Sequence, residues 1–538
     1  VALPLSMALA IASGVPPQHG LYTAIVAGAV TALLGGARHN VTGPTAAFVV
    51  LLVPVSSQFG VGGLMLASVM AGCILLALGV MRLGRLIQYV PHPVTTGFTA
   101  GIGVVIATLQ LKDFFGLTVD TSAEHYHEKV VALVQAFGSA RWQDFGVGAF
   151  TLGVLLVWPR LTKRVPAPLV AITFGAALAW LLGQLVEGFS VATIGSRFHF
   201  VVDGTTFAGI PRELPSFAWP WSQPGPDGQP LGLSFSVLKA LAGPAFAIAA
   251  LGAIESLLCA VVADGMAGTK HDSDVELAAQ GVGNIVAPFF GGFAATGAIA
   301  RTATNFRAGS RSPLSAVVHA VFVLAAVLAL APLLAYLPMA SLAALLLVVA
   351  WNMSEARHFV HVLRVAPRAD VLVLVSCFGL TVLFDMVIAV SVGIVLAALL
   401  FMQRMSEIFQ ARVSDDTTRH LADPKLQGVV VYEIAGPMFF GAAEKAVSTL
   451  APVAGKARAV VLQMDAVPVM DITGLVALES ALAKLARGET FVVLAGVQKQ
   501  PREVMTRAGL IEAPGRLRIC ATDEEALAAV REHLATTS

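Results

Sequence analysis

Two short stretches decide how this chain folds. Residues 41–47 read Val-Thr-Gly-Pro-Thr-Ala-Ala, and residues 295–302 read Ala-Thr-Gly-Ala-Ile-Ala-Arg-Thr. A glycine pair precedes each stretch, at 35–36 and at 291–292, and a short apolar run follows each Thr-Gly pair. Interrupted hydrophobic segments at matching positions of two halves indicate the binding site of a membrane transporter. We therefore expect two half-helices whose N-termini face each other across an anion site, beside Arg301.

The composition is that of a membrane protein. Of the 538 residues, 57% are hydrophobic and only 12% are charged, and the mean hydropathy is +0.80. Soluble domains carry about twice this proportion of charge, so an ordinary soluble protein is excluded. The formal net charge of +1 gives no indication of nucleic-acid binding. The four cysteines are scattered, and their spacing predicts neither a metal site nor a disulfide framework.

Apolar runs that could enter a bilayer recur about fourteen times. A span needs about 20 apolar residues, and fewer where the helix is broken. The first half gives the candidates 1–14, 20–36, 43–58, 61–81, 94–111, 144–159 and 167–186. The second half gives 238–263, 275–291, 296–307, 313–331, 337–352, 370–384 and 386–404. The chain starts at Val1 inside an apolar run, so we expect the natural N-terminus to be missing.

Every second loop between these spans carries Lys or Arg, which predicts a cytoplasmic C-terminus. The basic positions are Arg38; Arg82 and Arg85; Arg160, Lys163 and Arg164; Lys270; Arg307 and Arg311; Arg357, Arg364 and Arg368; and Arg404. Seven spans in each half give the halves opposite topology, which is an inverted repeat. The predicted parts are a first repeat at 1–190, an extracytoplasmic Pro-rich loop at 191–237, a second repeat at 238–405 and a polar linker at 406–427.

Residues 428–538 predict a small soluble α/β domain. Strand-like runs lie at 429–432, 459–464 and 491–495, and helical runs lie at 444–450, 475–487 and 524–534. Alternation of strands and helices over about a hundred residues is typical of a single sheet covered by helices.

The half-helices supply groups that bind anions. Free N–H groups and the positive end of the helix dipole attract negative charge. Thr42 and Thr296 are suitable N-cap residues, and Pro44 suits a first turn. Together with Arg301, these ends could replace the hydration shell of a divalent anion. Thr-Gly pairs also serve as plain helix-packing positions, but their occurrence in both halves, beside an arginine, favours a site.

Glu255 lies in the otherwise apolar run 246–259. A carboxylate at that depth is expensive unless it is paired or protonated. We interpret Glu255 as the residue that couples transport to a proton or cation, with Arg301 as its counter-charge. The alternative is a purely structural Glu–Arg ion pair. No catalytic triad, metal cluster or nucleotide-binding loop is visible, so the sequence predicts no enzyme activity, cofactor or metal.

Several of these motifs resemble the SulP family of anion permeases. The first motif is residues 17–24, with the sequence Pro-Gln-His-Gly-Leu-Tyr-Thr-Ala. The others are Gly35-Gly36-Ala37-Arg38, Glu255-Ser256, Ala263-Asp264-Gly265, Asn284 and the stretch 295–302 that contains Arg301. His19 and Ala37 stand where the family usually has tyrosine and serine. The resemblance implies a fold of fourteen spans shared with nucleobase permeases, gate and core domains, and a homodimer. It also implies that the first, third, eighth and tenth spans surround the substrate. The binding residues would be Gln18, Thr42, Gly43, Thr45, Thr296, Gly297, Ala298 and Arg301.

The C-terminal part resembles the STAS domain that such permeases carry. Residues 471–474, Asp-Ile-Thr-Gly, match the loop that is phosphorylated in the related anti-sigma-factor antagonists. The resemblance implies that Thr473 is a phospho-acceptor beside Asp471, and that a soluble protein could bind this domain.

Within the family, the chain most resembles bacterial permeases of four-carbon dicarboxylates such as succinate, fumarate and aspartate. Ala298 and Ala300 replace serines of vertebrate relatives, which favours an organic dianion over sulfate. Glu255 replaces the aspartate of sodium-coupled bicarbonate relatives, which favours H⁺ over Na⁺. We therefore predict proton-coupled dicarboxylate uptake at a bacterial inner membrane. The alternatives are a sulfate or bicarbonate permease, a passive anion channel, or a membrane scaffold in which the STAS domain is the active part.

Overall fold

The chain forms two compact units, Val1–Val395 and Leu396–Ser538. The structure is a computed structural model, and it describes residues 2–85, 90–119, 126–162, 165–202, 205–384, 386–413, 426, 428–439 and 457–536.

The first half of the N-terminal unit is helical. Its helices are α1 (Ala2–Ala12), α2 (Pro17–Leu34), α3 (Ala46–Val80), α4 (His92–Phe114), α5 (Tyr126–Gln135), α6 (Trp142–Leu161), α7 (Ala167–Leu185) and the short α8 (Ile194–Arg197). The second half continues with α9 (Phe235–Ala267), α10 (Ser273–Val286), α11 (Ile299–Arg307), α12 (Leu314–Leu334), α13 (Met339–Ser354), α14 (Ala356–Val365) and α15 (Arg368–Leu383). Helix α16 (Met386–Ile408) begins in this unit and ends in the C-terminal one.

Eight helices in the described part of the chain are long and apolar enough to cross a membrane. The exact number of spans stays a prediction. The predicted spans 43–58 and 61–81 form one element, α3, which Gly60 interrupts with φ 67° and ψ −166°. A break of this kind needs glycine, since other residues are strained at positive φ. Helix α5 lies between the predicted spans 94–111 and 144–159 and outside every predicted span.

The helices of the N-terminal unit pack in two groups. In one, α3 packs against α9 and α10, and α2 packs against α1 and α12; in the other, α4 packs against α13 and α15, and α6 packs against α7 and α13. Between α7 and α9, the Pro-rich loop contains a hairpin of β2 (His199–Val202) and β3 (Thr205–Ala208).

Two very short strands join the two halves of this unit. Strand β1 (Thr42–Gly43) precedes α3, strand β4 (Thr296–Gly297) precedes α11, and the two pair antiparallel. All four residues are buried.

The C-terminal unit is a five-stranded sheet with helices on both faces. Its strands, in sheet order, are β5 (Gln410–Val413), β6 (Val429–Ala435), β7 (Ala459–Ala466), β8 (Phe491–Ala495) and β9 (Leu517–Cys520). Strand β5 is antiparallel to β6, and the others are parallel. Helix α17 (Ile472–Arg487) covers one face with α18 (Lys499–Arg507), and α19 (Asp523–Thr536) covers the other.

The alternation of side chains explains this layering. On β7, Val460 and Leu462 enter the core beneath α17, whereas Ala459 and Val461 enter the core beneath α19. Successive residues of a strand point to opposite faces, so a strand that is apolar at every position is buried on both sides.

The structure differs from the predicted linker at 406–427. Helix α16 continues to Ile408, and residues 410–413 form β5. Phe409 is only 3% exposed because it packs in the core of the sheet with Ala411. Residues 414–425 and the predicted helix at 444–450 lie outside the described residues.

Candidate functional site

The two Thr-Gly pairs lie directly against each other. Thr42 pairs with Gly297, and Gly43 pairs with Thr296. Helix α3 starts three residues after β1, and α11 starts two residues after β4. The structure therefore brings together the two stretches that the sequence singled out, and both helix N-termini leave the same short ladder.

The predicted N-caps are wrong. The N-cap residues are Thr45 and Ala298, and neither provides a side-chain cap. The hydroxyl of Thr42 accepts a hydrogen bond from Gln280 Nε2 at 2.8 Å instead. Pro44 lies before the first turn of α3 and not within it. The first-turn N–H groups of both helices therefore receive no cap and are open to an anion.

Glu255 projects from α9 to these helix starts. Its Oε2 accepts hydrogen bonds from the hydroxyls of Thr45 and Thr296, each at 3.0 Å. A hydroxyl can donate to a carboxylate or accept from a carboxylic acid. The pair of threonines can therefore hold Glu255 in either protonation state.

The predicted pairing of Arg301 with Glu255 is wrong. It forms no ion pair with an acid among the described residues. Its Nη2 donates to the carbonyl of Pro44 at 3.1 Å and to Ser6 Oγ at 3.3 Å. The threonine hydroxyls satisfy the carboxylate, and the turn before α3 holds the arginine.

The guanidinium of Arg301 keeps free donors. The residue is 5% exposed, and its Nε and Nη1 have no hydrogen-bond partner in the structure. Buried donors without partners are rare and need an explanation, such as a missing ligand. A Cβ on Gly43 would run into Nη1, so glycine at this position leaves room for the arginine.

A cavity of about 370 Å³ connects these groups. Its lining residues are Leu5, Leu9, Pro44, Thr45, Ala46, Ala47, Thr99, Glu255, Gly297, Ala298, Ile299, Ala300, Arg301, Val349, Asn352, Met353 and Glu355. Among the predicted binding residues, Thr45, Gly297, Ala298 and Arg301 line it together with Glu255. Thr42, Gly43 and Thr296 are buried in the ladder, and Gln18 is not among the lining residues.

A second buried acid, which the sequence reading missed, supports the ladder. Glu276 of α10 is 1% exposed. Its carboxylate accepts from Asn40 Nδ2 at 2.6 Å, from the Ala37 N–H at 3.1 Å and from Gln280 Nε2 at 3.1 Å. All three partners are N–H donors, which suits an ionised carboxylate. An acid one residue inside the predicted span 275–291 was the available signal.

Side chains also form hydrogen bonds with backbone groups in and beside β4 that no neighbouring strand pairs. The amide of Asn284 accepts from the Ala295 N–H at 2.7 Å and donates to the Ala295 carbonyl at 2.9 Å. Ser256 Oγ accepts from the Gly297 N–H at 3.2 Å. A buried two-residue ladder would otherwise leave these backbone groups unpaired.

In the C-terminal unit, Asp471 is the N-cap of α17 and accepts from the Gly474 N–H at 2.7 Å. Thr473 is exposed in the first turn. The loop is therefore accessible, and the role of Thr473 as a phospho-acceptor stays a prediction.

Comparison with known proteins identifies the family. The profile described as the sulfate permease family matches residues 1–377, and the STAS domain profile matches residues 420–526. The chain belongs to the sulfate permease family. The permease is 39% identical over 517 residues to YvdB of Bacillus subtilis, covering 96% of this chain and 93% of that protein. The name of YvdB assigns it provisionally to sulfate transport.

A second relative is the bicarbonate transporter BicA of Picosynechococcus sp. The permease is 30% identical to it over 558 residues, covering 98% of this chain and 92% of BicA. Neither name mentions a dicarboxylate.

Solved structures agree on the fold. The structure of SLC26A9 matches with a TM-score of 0.83 at 18% identity, covering 100% of this chain and 89% of that one. The transmembrane domain of a cyanobacterial BicA matches with a TM-score of 0.59 at 26% identity, covering 74% and 94%. The predicted fold class, a permease-type membrane domain followed by a STAS domain, is confirmed. The permease is therefore a multi-pass membrane transporter of anions and not an enzyme.

Proposed function

We propose that the permease is a secondary active transporter that moves a small oxyanion together with a cation through the cavity between α3 and α11. The observation that carries this proposal is the position of Arg301 and Glu255 on the wall of one cavity. The arginine has free donors for an anion, and the acid has partners that tolerate both of its protonation states.

Coupling follows from the energy of moving charge. An anion that enters against about 100 mV, inside negative, costs about 2.3 kcal/mol per charge, or roughly 4.6 kcal/mol for a dianion. Proton symport offsets this energy. Glu255 would take up the proton outside and release it inside while the anion is held by Arg301 and the two helix N-termini. Sodium is the alternative cation, because carboxylate and hydroxyl oxygens can also bind Na⁺.

Two substrate classes are candidates, each favoured by a different observation. The names of relatives that match over more than nine-tenths of their length favour sulfate or bicarbonate. The apolar wall of the cavity, with Leu5, Leu9, Val349 and Met353, favours a four-carbon dicarboxylate such as succinate, fumarate or aspartate. Its methylene groups would contact this wall while a carboxylate meets Arg301.

The cellular setting belongs to the same proposal. The basic loops support an inner-membrane location in a bacterium with a cytoplasmic STAS domain. Family resemblance supports a homodimer, and the exposed loop at Thr473 supports a soluble partner at the STAS domain.

Uptake into proteoliposomes tests the proposal. Labelled sulfate and labelled succinate would be offered with an acid-outside gradient, with a sodium gradient and with neither, and bicarbonate and fumarate would serve as competitors. Accumulation above electrochemical equilibrium that needs one gradient is expected. Entry that only equilibrates would contradict coupling and indicate a passive channel. Competition between the anions decides the substrate class.

A further inference from the structure

Helix α14 carries a row of basic side chains on one face. It follows α13 directly, and none of its residues is buried. Arg357, His361 and Arg364 are spaced at i, i+4 and i+7, which places them on the same side of a helix, and all three are exposed. Arg368, the first residue of α15, adds a fourth exposed basic side chain just after the end of α14. We refer to these four residues as the basic face.

The basic face has no acidic partner. Residues 356–369 contain no Asp or Glu. None of the four residues forms an ion pair with an acid in the part of the chain that the structure describes. The positive charge of this segment is therefore available to a negatively charged partner.

The opposite face of α14 fixes the helix to the protein. The ring of Phe359 lies 5.2 Å from the ring of Phe378 on α15, and the ring of His358 lies 5.2 Å from that of His92 on α4. The helix therefore cannot turn its arginines inward without giving up these contacts.

Apolar side chains beside the basic face indicate its surroundings. Trp351, in the last turns of the apolar helix α13, is 67% exposed, and Val360 and Val365 are 42% and 69% exposed. Tryptophan, aliphatic side chains and arginine occur together where a helix lies at the boundary between lipid and water. Anionic lipid headgroups would supply the negatively charged partner that the arginines do not find within the described residues.

We propose that the basic face of α14 binds the headgroups of anionic phospholipids at the membrane surface. Glu355 connects this surface to the transport site. It lies between α13 and α14 with φ and ψ both at 41° and lines the cavity. We therefore also expect anionic lipid to change the transport rate, and this second expectation rests on the proposed function.

Lipid retention tests the binding surface independently of transport. The purified full chain would be equilibrated with phosphatidylglycerol and phosphatidylcholine, and the lipids that stay bound would be counted by native mass spectrometry. We expect a preference for phosphatidylglycerol that falls about fivefold for each arginine removed, since each contributes about 1 kcal/mol near an anionic surface. The test variant is Arg357→Gln with Arg364→Gln.

The matched control is Arg502→Gln with Arg507→Gln, which removes two exposed arginines from α18 of the C-terminal unit. It should keep the preference. The proposal is overturned if the wild type shows no preference, if the α14 variant keeps it, or if the control loses as much.

A second measurement identifies what covers the basic face. A fluorophore on Val360→Cys, in a chain with the exposed Cys73 replaced by alanine, would be reconstituted with a quencher attached to the headgroup of phosphatidylglycerol. Strong quenching is expected, and weaker quenching when phosphatidylcholine carries the quencher. Equal or absent quenching would show that another part of the chain, or a protein partner, covers this face, and would overturn the proposal.

Discussion

Two buried acids lie near the ladder, and the chemistry of their partners separates them. Glu255 accepts from two hydroxyls, which can reverse the direction of a hydrogen bond. Glu276 accepts only from N–H groups, which cannot. A proton on Glu255 can therefore be accommodated with the same neighbours in place, whereas a proton on Glu276 finds an acceptor only if the amide of Asn40 or Gln280 turns over to present its oxygen. The first arrangement suits a coupling residue and the second suits a structural one.

The variant Glu255→Gln should lose gradient-driven accumulation and keep substrate binding. Glutamine retains the shape of the side chain and its contacts with Thr45 and Thr296, but it cannot exchange a proton. We expect accumulation to fall to the equilibrium level, with substrate affinity within about threefold, which corresponds to less than about 1 kcal/mol. Proteoliposome uptake and substrate binding would be measured on the same preparations.

Glu187→Gln is the control, because it removes an exposed acid outside the cavity. It should accumulate substrate like the wild type. If Glu255→Gln also accumulates substrate like the wild type, Glu255 is not the coupling residue.

The variant Gly43→Ala should weaken substrate binding by displacing Arg301. A Cβ at this position would collide with Nη1 of the guanidinium. Small displacements of a binding group can reduce activity by up to about 100-fold, and we expect affinity to fall at least tenfold. In the control Gly243→Ala, the added Cβ meets open space, and affinity should stay unchanged. Equal affinities of the two variants would contradict the role assigned to Arg301.

At the scale of elements, the sequence predicted where the half-helices lie but not how they begin. Repeated Thr-Gly pairs located both stretches. The two-residue strands β1 and β4 escaped prediction because a pairing this short leaves no periodic pattern. The partners of Glu255 escaped as well, because Thr45 and Thr296 are 210 and 41 residues away from it along the chain. Only packing shows that hydroxyls, and not Arg301, meet the carboxylate.

The variant Glu276→Gln should destabilise the N-terminal unit. The carboxylate joins α10 to the segment before β1 through Asn40 and the Ala37 N–H. Glutamine replaces one accepting oxygen by an amide that faces these donors, which leaves a buried donor unpaired and costs about 1–3 kcal/mol. A lower midpoint in thermal unfolding of the purified protein is expected. A midpoint as high as that of Glu187→Gln would show that the network contributes little.

The variant Phe409→Ala should destabilise the C-terminal unit, although Phe409 lies in the predicted linker. The side chain is 3% exposed in the core of the sheet. Truncation of a buried phenylalanine costs about 3–5 kcal/mol, and chemical denaturation of a fragment comprising 409–538 would measure it. Val413→Ala, at a residue that is 48% exposed, is the control. Similar stabilities of both variants would show that residues 409–413 do not belong to this fold.

At the scale of the whole molecule, the proposed transport site is lined by residues of one unit alone. Every residue that lines the cavity lies between Leu5 and Glu355, within the compact unit Val1–Val395. The C-terminal unit has its own sheet and its own cores. Removal of the C-terminal unit would therefore leave every lining residue of the cavity in the chain.

Deletion of residues 406–538 should leave substrate binding intact and reduce transport. We expect affinity within about twofold of the wild type, because the cavity is complete, and a slower rate of uptake. Affinity and uptake would be measured in parallel. An unchanged rate, together with loss of a soluble partner from the purified complex, would contradict this expectation and favour the scaffold function.

The pairing of β1 with β4 also determines when the site can assemble during biosynthesis. The paired residues are about 250 positions apart, and ribosomes add about 5–20 residues per second. Roughly 10–50 seconds of translation therefore separate the two strands. Until β4 is synthesised, β1 lacks the strand with which it pairs. The proposed anion site is thus assembled late: a chain truncated just before Thr296 contains the first nine predicted spans but lacks the strand that completes the site.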